Sequence, residues 1–394
     1  MTTDVVALRC SILRGGTSRG VFFLADDLPS DRAAIEPMLL DVFGSPDVRQ
    51  IDGLGGATSQ TSKAAIIGPA SRADADVDYT FAQVSVTSPL VDWGGNCGNI
   101  SAAVGPFAID KGLVVATGSQ TTVRIHNTNT GKVIVAEVPT HAGRAIVEGD
   151  YAIPGVPGTG ARILLEFADP AGSTTGKLLP TGYPCEELAL AGGRTIEVSV
   201  VDAGNPVVFV RAGDLGLSGT EAPLDIEANT AATAVLEEAR SIVAERLGLV
   251  ADRRDATRLS PGLPKVGFVS APADHQKSDG SALAADAADV VGRLMSMQTA
   301  HRSYMTTGAI ATAAAAFVPG TIVAEMTRPR ASRPERDTIR IAHPYGVMDA
   351  VVRATDPDDP GTIRAIAVGR TARHILDGTV WVRRRASPVT DERS

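Results

Sequence analysis

Apolar positions in the 394-residue chain come in short runs, most of them strand-like. Val5 to Leu13 and Val21 to Leu24 flank the turn Arg14-Gly15-Gly16-Thr17-Ser18-Arg19-Gly20, which predicts a hairpin. Asp26 to Phe43 has a helical pattern with Ser30 as its candidate N-cap, and Gly44-Ser45-Pro46-Asp47 ends it. Asp78 to Val86 alternates as a strand does. Thr121 to Ile125 and Val133 to Val138 predict a strand pair, and Arg162 to Phe167 another strand. Further on, Arg194 to Val201 and Pro264 to Val269 read as strands. Ala228 to Leu247 reads as a helix with Glu237, Glu238 and Arg240 outward, and Asp286 to Met297 as a second helix. Strands are expected near Thr338 to Ile341, Met348 to Ala354, Ile363 to Val368 and Val380 to Arg383. Residues 384–394 are expected to fray.

Two helical runs break this pattern because they are built from small residues. One follows Cys97 and the other begins at Thr307. Aligned, Cys97-Gly98-Asn99-Ile100-Ser101-Ala102-Ala103 and Thr307-Gly308-Ala309-Ile310-Ala311-Thr312-Ala313 share Gly, Ile and the final Ala. Such a repeat predicts two similar halves whose central helices point their N-termini into one cleft. The first half is expected to span 1–190, completed by a C-terminal strand at about 363–385, and the second 191–362. At this length two domains are also expected on size alone.

Composition narrows the function classes. A net charge of −8 argues against a nucleic-acid surface, so an anionic substrate must be held by local donors. Three cysteines, Cys10, Cys97 and Cys185, make no disulfide framework and fit a reducing compartment. The first residues do not read as a signal peptide. The uncharged run from Ser303 to Ala324 is interrupted by Pro319-Gly320, so no membrane span is expected, and a cytoplasmic protein is. Six scattered histidines and no Cys-x-x-Cys point away from a metal site, and no dinucleotide or phosphate-loop motif appears.

The candidate chemistry lies in three glycine-rich turns. In Val91-Asp92-Trp93-Gly94-Gly95-Asn96-Cys97-Gly98-Asn99, a cysteine sits at or just ahead of the first helical position. Unpaired backbone N–H groups there welcome an anion, and Gly95 and Gly98 would let a substrate reach the backbone. A lone cysteine in a turn is more often simply buried. In the second turn, Gly53 to Ser62 leads to Lys63 at the mouth of an apolar strand. That lysine is either paired, kept neutral for proton transfer, or snorkelling outward. The third turn, Arg14 to Gly20, offers hydroxyls and N–H groups to a carboxylate. Because the repeat sets Thr307 rather than a second cysteine against Cys97, another group must partner the thiol, and Lys63 is the candidate.

These residues resemble a known family. Arg14-Gly15-Gly16-Thr17-Ser18, Gly44-Ser45-Pro46-Asp47, Gln50-Ile51-Asp52-Gly53, Gly55-Gly56-Ala57-Thr58-Ser59 with Thr61-Ser62-Lys63, Asn96-Cys97-Gly98-Asn99, Val104-Gly105-Pro106-Phe107-Ala108-Ile109, Asn127-Thr128-Asn129-Thr130 and Asp202-Ala203-Gly204-Asn205-Pro206 are similar to the PrpF-like isomerases over nearly the whole chain. The family includes 2-methylaconitate, 3-methylitaconate and aconitate isomerases and 4-oxalomesaconate tautomerase.

The resemblance implies an α+β, diaminopimelate epimerase-like fold. Two pseudo-symmetric domains each wrap a sheet around a central helix, with the active site between them. It also implies cofactor-independent movement of a proton and a double bond in an unsaturated di- or tricarboxylate, and a homodimer. By motif, Lys63 and Cys97 would be catalytic. Thr17, Ser18, Ser62, Asn96, Gly98, Asn99, Asn205, Lys265, Arg302, Thr307 and Gly308 would bind substrate. Two positions depart from the pattern: Arg19 stands where many relatives have lysine, and Ala311 lies near where relatives often carry a cysteine. The residues before Lys63 and Asn96 are nearer the methylaconitate and methylitaconate members. Three rival readings remain: an accessory protein of an aconitase-type dehydratase, a ligand-binding module, and an amino-acid racemase. Thr307 in place of a second cysteine speaks against the last.

Overall fold

The computed structural model describes residues 4–356 and 359–383. Strand β1 (Val5–Gly15) turns into β2 (Ser18–Leu24), paired antiparallel from Ser11↔Phe22 to Gly15↔Ser18, which is the predicted hairpin. Helix α1 (Arg32–Phe43) starts one residue later than Ser30 would place it. Asp31 is the cap, its carboxylate accepting from the Ala33 N–H at 3.1 Å. β3 (Lys63–Pro69) lies parallel to β2 and antiparallel to β4 (Val77–Val84).

The sheet continues from β4 through Gln120–Asn127, Lys132–His141 and Ile163–Ala168 to Ile363–Arg370. On its far side β1 pairs along its length with Ala372–Arg383. Ile363–Arg370 is the seam. It bonds to Ile163–Ala168 on one side and to Gly346–Ala354 on the other. From there the order runs through Thr338–His343, Val290–Ser296, Lys265–Ser270 and Asn205–Arg211 to Thr195–Ala203.

Each set of strands wraps a helix of small residues. In α2 (Gly98–Asp110) every residue from Gly98 to Ile109 is buried. In the second central helix (Thr306–Ala316) every residue from Thr306 to Ala315 is buried. A helix that is apolar all round has no face for water, so it sits inside a shell of strands. Ile100 and Phe107 from the first and Ile310 and Ala314 from the second share one continuous core with Leu13, Phe22, Leu165, Ile339 and Val352.

Three expectations are corrected. Val290–Ser296, read as part of a helix over Asp286 to Met297, is a strand in which every residue is buried. It lies antiparallel to Lys265–Ser270 and parallel to Thr338–His343. An apolar run buried on both faces loses the alternation that marks a strand. The helix expected over Ala228 to Leu247 spans Thr230–Arg246, and Arg240 on it is buried rather than outward. Its guanidinium pairs with Glu237 and donates to the Ser260 and Leu263 carbonyls, at 2.7 and 3.2 Å, which pins the loop before Lys265. The seven-residue match is also offset. Cys97 is the N-cap of α2, whereas Thr307 is the second residue of its helix, whose N-cap is Met305. The expected fraying of 384–394 lies outside the described residues. Among the described residues, no helix is long and apolar enough to cross a membrane.

Candidate active site

Lys63 opens β3, where the parallel pairing sets it beside Gly20 and the antiparallel pairing beside Gln83. The sequence between Gly53 and Ser62 supplies turns and hydroxyls that satisfy one another. Ser62 Oγ donates to Gln50 Oε1 and the Thr58 carbonyl, both at 2.8 Å, so the chain enters the buried strand with the lysine as its first residue. Lys63 is only 6 % exposed. Its Nζ donates to Gln83 Oε1 and stands 5.4 Å from the centre of the Phe81 ring. Burial pushes the amine below the ordinary lysine value, against the smaller opposing pull of Cys97 and Asp92.

Cys97 ends the extended lead-in and caps α2 with φ −114° and no side-chain cap hydrogen bond. Its thiol is free and half-buried. The turn that carries it is tied by Asn205, the first residue of the strand Asn205–Arg211. Asn205 Oδ1 accepts from the Asn96 N–H at 3.3 Å. Its Nδ2 donates to the Asn96 carbonyl and to Thr307 Oγ1, both at 3.1 Å. A second tie joins the helix starts directly. Asn99 Oδ1 accepts from Thr306 Oγ1 at 2.9 Å and from the Thr17 N–H at 3.4 Å, and Thr306 Oγ1 accepts from Arg370 Nε at 3.0 Å. Two glycines permit this closeness. A Cβ on Gly98 would stand 2.8 Å from Thr306 Cβ. One on Gly16, whose φ is +50°, would stand 2.2 Å from Asn99 Oδ1. The missing Cβ of Gly98 thus makes room for the opposite helix.

Between the two helix starts lies a small cavity that opens to solvent. Ser18, Lys63, Asn96, Cys97, Gly98, Asn99, Lys265 and Thr307 all line it, so the amine and the thiol meet one space. Ser18 Oγ is buried without a hydrogen-bond partner, and Ser18 lines the cavity. Lys265 is half-buried at the mouth of its strand. Burial, and then the charge of Lys63, push its amine down to about 8. Other expected residues lie off the wall. Ser62 and Asn205 are fully buried behind it, and Thr17 is bonded to Asn99 and Ser303. Gly308 is packed against Leu294. Arg302 faces an adjoining cleft and pairs with Glu227 at 3.2 Å.

Sequence reasoning missed Gln83, Asp92, Ser296, His301 and Thr306, all on the cavity wall. Gln83 was findable only through the register that sets it opposite Lys63. His301 accepts the Ser303 N–H at Nδ1, 3.2 Å away, and burial holds its imidazole down to about 3. The ring is therefore neutral and carries its proton on Nε2. The cavity thus combines two low-pKa amines, one thiol, neutral donors and two helix starts. That set can accept and return a proton beside a bound carboxylate.

Asn205→Ala strands the Asn96 backbone groups and the Thr307 hydroxyl, all buried. It is expected to cost roughly 2–3 kcal/mol of stability, measured as a lowered denaturant midpoint at unchanged slope. A loss below about 0.5 kcal/mol, the size of a surface change, would show that the tie is not structural.

A model of the PrpF protein family matches residues 5–383. The chain is 48 % identical to a 3-methylitaconate isomerase of Eubacterium barkeri over 381 residues, 96 % of this chain and 98 % of that protein. It is 38 % identical to a 2-methyl-aconitate isomerase of Shewanella oneidensis over 390 residues, 96 % and 97 % of the two chains. A crystal structure of methylitaconate-delta-isomerase superposes with a TM-score of 0.78 at 46 % identity, covering 99 % of this chain and all of that one. The chain belongs to the PrpF family.

Proposed function

We propose that the protein is an isomerase that moves a C=C bond by a 1,3-allylic proton shift in an unsaturated di- or tricarboxylate of the methylitaconate, methylaconitate or aconitate type. The observation that carries this is the convergence of a buried, uncharged-partnered lysine and a free thiol on one cavity with two helix N-termini. The two relatives named above support the substrate class.

Hydrogen on the carbon allylic to an acrylate is a weak acid, so a base alone is insufficient. Lys63, neutral, takes that proton, and the electron pair spreads through the double bond onto the carboxylate. The N–H groups at the starts of α2 and the second central helix, with Ser18 Oγ and Lys265, meet the developing charge. A proton from Cys97, or from the Lys63 ammonium, then goes to the far carbon of the allyl unit; where Cys97 gives it, the Lys63 ammonium loses a proton to solvent and the Cys97 thiolate gains one, which restores both groups.

The test is a proton NMR screen of purified protein with methylitaconate, methylaconitates, cis- and trans-aconitate and oxalomesaconate. Loss of one set of vinyl or allylic signals with growth of its isomer is expected for at least one of the first four. Turnover of oxalomesaconate alone would move the assignment to a tautomerase. Tight binding with no turnover of any of them would favour an accessory or ligand-binding protein.

A further inference from the structure

We propose that Gln83 is a positioning residue that keeps the Lys63 amine uncharged and aimed into the cavity, by offering it a neutral acceptor where a carboxylate would equally fit. The proposal rests on Lys63 being the base.

Four observations carry it. The register of β3 and β4 sets Lys63 and Gln83 directly opposite, and both side chains are buried. Gln83 Oε1 accepts from Lys63 Nζ, and Lys63 makes no ion pair among the described residues. The orientation of the amide is fixed from the other side. Its Nε2 donates to the Ser62 carbonyl at 2.9 Å and the Ser59 carbonyl at 3.2 Å. A carbonyl accepts and cannot donate, so the NH₂ edge must face those backbone groups and the oxygen must face the amine. Finally, Gln83 lines both the cavity and the adjoining cleft, so it reaches the substrate space without holding a charge in it.

Burial alone disfavours the ammonium, and a neutral acceptor does little to reverse this. A carboxylate in the same contact would raise an amine's pKa by about 1–3 units. The other charged or titratable groups facing Lys63 come from different elements: Asp92 from the short strand before the cysteine turn, Cys97 from the start of α2, Lys265 from its strand, and His301 from the turn ahead of the second central helix. Asp92 and Cys97 favour the ammonium, whereas Lys265 opposes it. The neutral imidazole adds no charge. None of them lies within ion-pair distance of Nζ among the described residues, so burial sets the direction and the Gln83 contact is where a charge on the partner would reverse it.

The test compares Gln83→Glu and Gln83→Met with the wild-type protein by two readouts. One is the rising limb of kcat/KM against pH. The other is the pH midpoint for labelling of Lys63 by an amine-reactive anhydride, read by peptide mass spectrometry. Raising the Lys63 pKa lowers the fraction of free amine at any fixed pH below it. Gln83→Glu should therefore move both midpoints to higher pH by about 1–3 units, cut kcat/KM by about 10- to 1,000-fold at pH values below the wild-type midpoint, and recover rate as pH rises. Gln83→Met, which brings no charge, should lower kcat with neither midpoint moving up. Midpoints unchanged in a folded Gln83→Glu protein would overturn the proposal. Wild-type kcat/KM in Gln83→Met would overturn it too, and that variant decides the matter if the glutamate protein does not fold. A labelling midpoint that moves while the activity limb stays would support the role of Gln83 and remove Lys63 as the base.

Discussion

Lys63→Met is expected to lower kcat by about 10²- to 10⁴-fold, the usual contribution of a positioned general base. KM should change little, because the proposed mechanism assigns the substrate carboxylates to other groups on the cavity wall: the helix starts, Ser18 and Lys265. The loss will not come from misfolding. Lys63 is 6 % exposed, and its burial disfavours the charged form, so an apolar side chain of similar length removes a desolvation cost. Met beside Phe81 also keeps the packing that the lysine stem now makes. The denaturant midpoint should stay near the wild-type value as the activity falls, the relieved desolvation offsetting the buried Gln83 Oε1 left without its donor. A variant that keeps more than a tenth of wild-type kcat would show that another group takes the proton. Lys265 would be the first to examine, with its amine pushed down to about 8 in the same cavity.

Cys97→Ala separates the two halves of the proton shift. With Lys63 in place, the allylic hydrogen should still leave and return, so exchange of that position with solvent continues. Delivery of a proton to the far carbon loses its donor, and isomerised product should form about 100-fold more slowly, at the low end for general acid catalysis. Cys97→Ser is expected to rescue little, because a hydroxyl is a far weaker acid than a thiol. Both variants should fold, since the thiol is half-buried and makes no cap hydrogen bond. Product formation at the wild-type rate in Cys97→Ala would mean that the Lys63 ammonium serves both carbons.

Which parts of this were legible in the chain follows from physics rather than luck. Lys63 and Cys97 stood out because each breaks a local rule. One is a cation entering an apolar strand, and the other a thiol inside a glycine turn that starts a helix. The two central helices were readable because small, uncharged residues all round leave no solvent face. Gln83 was not, because its importance comes from a cross-strand register that no local pattern encodes. His301, and not the expected Arg302, lines the cavity for a similar reason. Met297 and Gln298 both have positive φ, and they fold Thr299–Ala300 back onto Val290–Ser296. The neutral ring then lies on the cavity wall, and the arginine faces the adjoining cleft, beside Glu227. Val290–Ser296 itself was misread because burial on both faces erased its period.

The most direct measurement of the central claim is deuterium uptake from D2O into an isomerised substrate, followed by proton NMR for the wild-type protein and for Lys63→Met. Wild type should place solvent deuterium at the carbon that gains hydrogen, and should wash it into the allylic position of recovered substrate. Folded Lys63→Met protein should do neither. Full exchange by that variant would contradict proton transfer by the buried amine.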